Sequence, residues 1–169
     1  MKINDIEIKC LVHAGFMVKN YRIIYIDPYQ IKEPSEEEKA DLILITHSHY
    51  DHCSIVDLQK IVKEGTKIVI TADCQSKITR FDVPIDIEIV EPFQELDFGN
   101  VKISAMPAYN IYKHFHPKDE GWVGYLIKMN DVLIYHSGDT DVIPEMNKLT
   151  GYKQPSCWRK VYNVCRRSC

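Results

Sequence analysis

Residues 41–52 read Asp-Leu-Ile-Leu-Ile-Thr-His-Ser-His-Tyr-Asp-His, an unbroken apolar run of strand length that empties into three histidines and an aspartate. A continuous apolar run of this kind is the pattern of a strand covered on both faces. On an extended exit from such a strand, residues i and i+2 point the same way. His47 and His49 can therefore hold one cation through two imidazoles, while Asp51 and His52, in the following turn, can face a second. Imidazole and carboxylate together suit zinc, iron or manganese rather than calcium. A plain solvated turn has no physical reason to follow a buried strand with this set of side chains.

Around that strand the pattern is mixed. Alternation and β-branched content predict strands over 6–12, 16–19 and 22–26, closed by Gly15, Asn20 and Asp27-Pro28. Ser35 before Glu36, Glu37 and Glu38 predicts a short helix. Ile55, Leu58, Ile61 and Val62 stand at helical spacing and Gly65 ends that run; a strand over 67–71 and a short helix over 76–80 follow. Strands return between Ile85 and Tyr135, interrupted by a polar loop over 107–121. The class is α/β, mixed with α+β.

Charge divides the chain unevenly. Residues 1–150 hold all 24 acidic side chains and 16 of the 21 basic ones, whereas 151–169 hold five basic residues, none acidic, and Cys157, Cys165 and Cys169. The reading is therefore one domain over 1–150 and a basic, cysteine-containing tail over 151–169. Those cysteines lack the paired spacing of a structural zinc site. Five cations without an aromatic platform do not argue for a nucleic-acid arm. No run approaches the roughly 20 apolar residues of a membrane span, and the N-terminus lacks a secretory apolar stretch, so the expected address is cytoplasmic, with free thiols.

A second polar turn closes a buried strand at Tyr135-His-Ser-Gly-Asp-Thr140, where Gly138 permits a bend that brings Asp139 to the sheet edge as a candidate bridging carboxylate. Together, His13-Ala-Gly-Phe16, Asp27-Pro28, Thr46–His52, Pro107-Ala-Tyr-Asn110 and Tyr135–Thr140 resemble the metallo-β-lactamase-fold hydrolases. Within them the branch is similar to L-ascorbate-6-phosphate lactonase. The resemblance covers residues 6–150 and implies an αββα four-layer sandwich, incomplete at the C-terminus, with a dinuclear site expected to hold two Zn2+, or Mn2+ or Fe2+. It gives His47 and His49 to the first metal, Asp51 and His52 to the second, and Asp139 to the bridge.

Two departures stand against that pattern. Asn110 occupies the loop position where similar proteins carry a histidine, and His114 or His116 can take its place or lie exposed in the loop. No histidine follows His136, where the family has a late one. One codon choice for residues 156–169, read one base later, spells VVGEKFTMSAEEA, which looks like the family's continuation. The expectation is a frameshifted or interrupted reading frame, with an open sheet edge and poor solubility.

The resemblance implies a metal-dependent hydrolase of an ester, lactone or phosphodiester acting through a metal-bound hydroxide; the alternative is a metal-binding, catalytically impaired member of the same fold. Asp51 is expected to orient the nucleophile or take its proton, and His136 to give a proton to the leaving group, unless it only closes a strand end. Lys113 and Lys118 lie where a small anionic substrate arrives. His13 and Tyr109 either reach the sheet edge or simply pack.

Overall fold

The computed structural model describes residues 1–78, 81–151 and 162–163. Its backbone divides into two compact units, Met1–Val90 and Glu91–Cys169.

The first unit is a seven-stranded sheet in chain order. Strands β1 (Lys2–Ile3), β2 (Ile6–Cys10), β3 (Phe16–Lys19) and β4 (Ile23–Ile26) pair antiparallel. From β4 onward the pairing turns parallel, through β5 (Leu42–Leu44), β6 (Thr66–Ile70) and β7 (Ile85–Ile89). The sequence dictates the change of style. In β2, Ile6 and Ile8 are buried while Glu7 and Lys9 are exposed, the alternation of a sheet wetted on one side. In β4 and β5 every residue is buried, as parallel pairing requires.

Helix α1 (Ile55–Ile61) makes the crossover between β5 and β6 and buries Leu58 and Ile61 in a cluster with Ile43, Ile45, Ile68 and Ile70. Each buried aliphatic side chain of this kind contributes roughly 1.5–3 kcal/mol. Ser54 caps the helix, and Asp57 in its first turn accepts from the backbone of Gln30 and Ile31, both at 2.9 Å, and from Lys60 Nζ at 3.0 Å. Burial raises the Asp57 pKa, but the bonds from Ser54, Lys60, Ile31 and Gln30 outweigh it and hold the carboxyl below its ordinary value.

Two expected helices are corrected. Glu36–Glu38 forms only a 3-10 turn: Ser35 makes no capping bond and the segment buries nothing, so no packing extends it. Over 76–80, of which 79 and 80 lie outside the described residues, there is no α-helix among the described ones; a 3-10 turn at Ala72–Cys74 runs on into a further turn through Lys77. Cys10, Cys53 and Cys74 are free thiols, as expected. The Tyr25 hydroxyl donates to the Glu38 carbonyl at 2.9 Å, and burial, with the nearby Glu38 charge, pushes its pKa up to about 12.

The second unit is a five-stranded sheet. Strands β8 (Glu95–Asp97), β9 (Val101–Pro107), β10 (Val123–Met129) and β11 (Val132–His136) form an antiparallel meander. Asn130, at positive φ, opens the two-residue turn between β10 and β11. Gly124 in β10 is dictated by crowding, because a Cβ there meets the carbonyl oxygens of His136 and Ser137 at 2.7 Å each. Met106, Leu126 and Tyr135 form a cluster under Met146 and Leu149 of the 3-10 run Pro144–Gly151. Burial alone pushes the Tyr135 phenol up to about 12.

Of the tail, Tyr162–Asn163 pair parallel to β11 as β12, a strand the sequence reading did not foresee. The three tail cysteines lie outside the described residues. Among the described residues, no helix is long and apolar enough to cross a membrane.

Candidate metal centre

The donors of the first unit are set at the ends of its two wholly buried strands. Parallel pairing of β4 with β5 places Asp27, at the exit of one, beside Thr46, at the exit of the other; both are fully buried. Asp27 Oδ1 accepts the Thr46 backbone N–H at 2.8 Å and Oδ2 accepts its hydroxyl at 2.7 Å. Oδ2 also faces His52 Nδ1 at 2.8 Å.

These bonds fix which histidine nitrogens keep a lone pair. A carboxylate facing neutral imidazole can only accept, so His52 carries its proton on Nδ1 and keeps its lone pair on Nε2. The Thr46 hydroxyl has spent its hydrogen on Asp27, so its 2.9 Å contact with His47 Nδ1 has the imidazole donating. His47 Nε2 is thereby left as donor toward a metal, 3.1 Å from Nδ1 of His49. Two nitrogens bound to one tetrahedral zinc at ~2.0–2.1 Å sit roughly 3.3 Å apart, so this imidazole pair fits a shared cation. Asp73 steadies the segment by accepting the Ser48 N–H at 3.3 Å, and Lys77 donates to the Ser48 carbonyl.

The loop between β2 and β3 adds a donor. His13 Nε2 lies 2.9 Å from Asp51 Oδ2, and one donor atom each from His13, Asp51 and His52 all fall within 4.8 Å of one another. His13 was weighed between the sheet edge and plain packing, and Asp27 entered only with the motifs that carry the resemblance; neither was given a metal.

In the second unit Asn110, His114 and His116 differ in burial and in what they bond. His114 is exposed, whereas His116 keeps 6% of its accessible surface. The Asn110 amide donates to the Phe115 carbonyl at 3.1 Å and its backbone N–H to the His116 carbonyl at 2.7 Å. Asn110 thus closes the loop that presents His116. His116 Nδ1 donates to the Asp139 carbonyl at 3.0 Å, which leaves Nε2 with the lone pair. His136 ends β11 with 1% exposure.

Polar ties fasten this loop. Thr140 Oγ1 accepts the Tyr109 N–H at 3.0 Å, and Asp141 Oδ2 accepts that of Ile111 at 3.0 Å. Glu145 takes Lys118 Nζ and the Tyr109 hydroxyl, both at 2.8 Å; these bonds hold its pKa down at about 2 and lift those of Tyr109 and Lys118. Lys113 pairs with Asp141 at 3.4 Å. Both lysines expected to meet a substrate anion therefore already face carboxylates.

Residues 22–158 match the family described as a Beta-lactamase superfamily domain. Over 150 residues the chain is 34% identical to a UPF0173 metal-dependent hydrolase of Thermococcus onnurineus, covering 85% of this chain and 66% of the relative. A counterpart in Thermococcus kodakarensis is 33% identical over 156 residues, covering 86% of this chain and 68% of the relative. Among solved structures, a Parabacteroides distasonis protein presented as a metal-dependent hydrolase superposes with a TM-score of 0.71 at 27% identity, covering 85% of this chain and 64% of the other. The chain spans about two thirds of the length of the relatives it matches.

Proposed function

This chain belongs to the β-lactamase superfamily and, within it, to the UPF0173 metal-dependent hydrolases, and from that membership we propose that it hydrolyses an ester, lactone or phosphodiester with the help of two bound cations. The observation that carries the reading is the set of imidazoles whose lone-pair nitrogens are selected by buried or half-buried acceptors: Asp27 for His52, Thr46 for His47, the Asp139 carbonyl for His116. Histidines that merely pack need no such selection. Metal-binding ones do.

In this reading, which follows the resemblance, His47 and His49 would hold one cation and Asp51 and His52 the other, with His116 and Asp139 as the further candidate ligands. Zinc suits a set dominated by imidazole. Bound there, the cations supply Lewis acidity, acidifying a water and polarising a carbonyl or phosphoryl oxygen. The chain's own groups do the rest. Asp51 accepts a proton from the nucleophile or orients it through a carboxylate oxygen, while His136 is the candidate donor to the leaving group. The substrate is a small anionic molecule and the setting cytoplasmic.

Elemental analysis of the unstripped chain, paired with assay on a generic phosphodiester and a set of lactones, tests this. About two equivalents of metal per chain, with turnover abolished by chelation and restored by zinc, is the expected result. Turnover that survives chelation or His49→Ala, or a chain that takes up no transition metal, refutes it.

A further inference from the structure

We propose that His13 is a direct ligand of the second cation position, completing a His13–Asp51–His52 set drawn entirely from residues 1–90. The inference rests on the two-cation reading above and adds to it a donor that lies outside the Thr46–His52 motif.

Three observations carry it. His13 Nε2 stands 2.9 Å from Asp51 Oδ2. Two donors bound to one cation at ~2.0–2.1 Å lie roughly 2.9 Å apart when they subtend a right angle and roughly 3.3 Å at the tetrahedral angle, so the pair already has the spacing of neighbours in a coordination shell. The third donor is at hand, for one ligand atom from each of the three residues lies within 4.8 Å of the others. The His13 and His52 rings meet edge to face at 84°, with centroids 5.4 Å apart.

The backbone is also bent to deliver this imidazole. His13 is exposed as a residue, yet its side chain keeps only 17% of its accessible area. It adopts φ 59°, a left-handed conformation unusual for a residue with a Cβ. The loop around it is tied by Leu11 N–H to the Gly15 carbonyl at 2.9 Å and Gly15 N–H to the Val12 carbonyl at 3.1 Å. Gly15 cannot be replaced freely, since a Cβ there meets the Asp27 carbonyl at 2.9 Å. The same strand exit that fixes His52 thereby fixes the loop that carries His13.

The alternative role, His13 as a positioning residue that only hydrogen-bonds Asp51, predicts different spectra. Full-length chain, stripped and titrated with Co2+, is read by elemental analysis, calorimetry and absorption. Wild type should take up two equivalents. His13→Ala should keep the first, held by the His47 and His49 position, as proof that it is folded, and lose affinity for the second by more than about 100-fold. Driven to saturation, His13→Ala should show a second-position cobalt d–d band altered in position and intensity from wild type, as loss of an imidazole ligand requires. A second equivalent held by His13→Ala at wild-type affinity, or with an unchanged d–d band, overturns the proposal. A wild-type chain that binds no cobalt instead fails the two-cation reading itself.

Discussion

The two units position their histidines by opposite means. In the first, a single buried carboxylate at the end of a parallel strand reaches Thr46 and His52 directly and His47 through the threonine hydroxyl. In the second, His116 is carried on a loop fastened by exposed or half-buried ties among Tyr109, Thr140, Asp141, Glu145 and Lys118. The first arrangement concentrates its risk in one residue shielded from water. The second spreads it over several weak links that salt can screen. Loss of one group should therefore be far more costly on the first side.

Asp27→Ala provides the largest expected break. It strands the Thr46 N–H, the Thr46 hydroxyl and the His52 Nδ1–H in a dry site, and should cost about 3–5 kcal/mol in a denaturant titration. Asp27→Asn separates orientation from bulk. It keeps the shape but turns an acceptor into a donor, so fold should be largely retained while zinc affinity falls about 10–100-fold.

A backbone substitution on the other side should have an intermediate effect. Gly124→Ala forces a methyl against two carbonyl oxygens at 2.7 Å, and the strain should lower stability by about 1–3 kcal/mol. A midpoint equal to wild type would show that the close approach of β10 and the β11 exit is soft.

The smallest change belongs to the loop ties. Because Glu145 is held at about 2 from an ordinary value near 4.5, its ties to Lys118 and Tyr109 stabilise the fold above pH 4.5 and fade as pH falls toward 2. Glu145→Gln should thus flatten the acid limb of the stability curve and leave neutral stability only slightly lowered, less so in high salt. An unchanged acid limb would assign that loss to Asp57, whose carboxyl is likewise depressed.

The same division explains what the sequence made legible. Leu42–Leu44 and the motif beyond it were readable because a doubly covered strand has no polar alternation to hide behind. His47, His49, Asp51 and His52 came with it. Asp27 and His13 stood in the motifs that carry the resemblance, but their partners could not be read, since these stand 19 or more positions away and meet them only through the pairing of β4 with β5 and the β2–β3 turn. His116 could not be told from His114 by residue type; the structure buries the first and exposes the second, with Asn110 folding the loop back on itself. The expected helix after Ser35 failed because good local signals there have no apolar face to bury.

Tyr25 and Tyr135 give each sheet its own alkaline clock. An ordinary phenol ionises near pH 10, and these two are held back to about 12, so folding favours their neutral form and that preference is intact below pH 10 and exhausted by about 12. In the window between, base pulls each unit open through its own tyrosine. Because the chain has ten tyrosines, phenolate difference spectra of Tyr25→Phe and Tyr135→Phe against wild type isolate the two; signals at different pH would show the sheets surrendering one after the other, and coincident ones would show that they yield together.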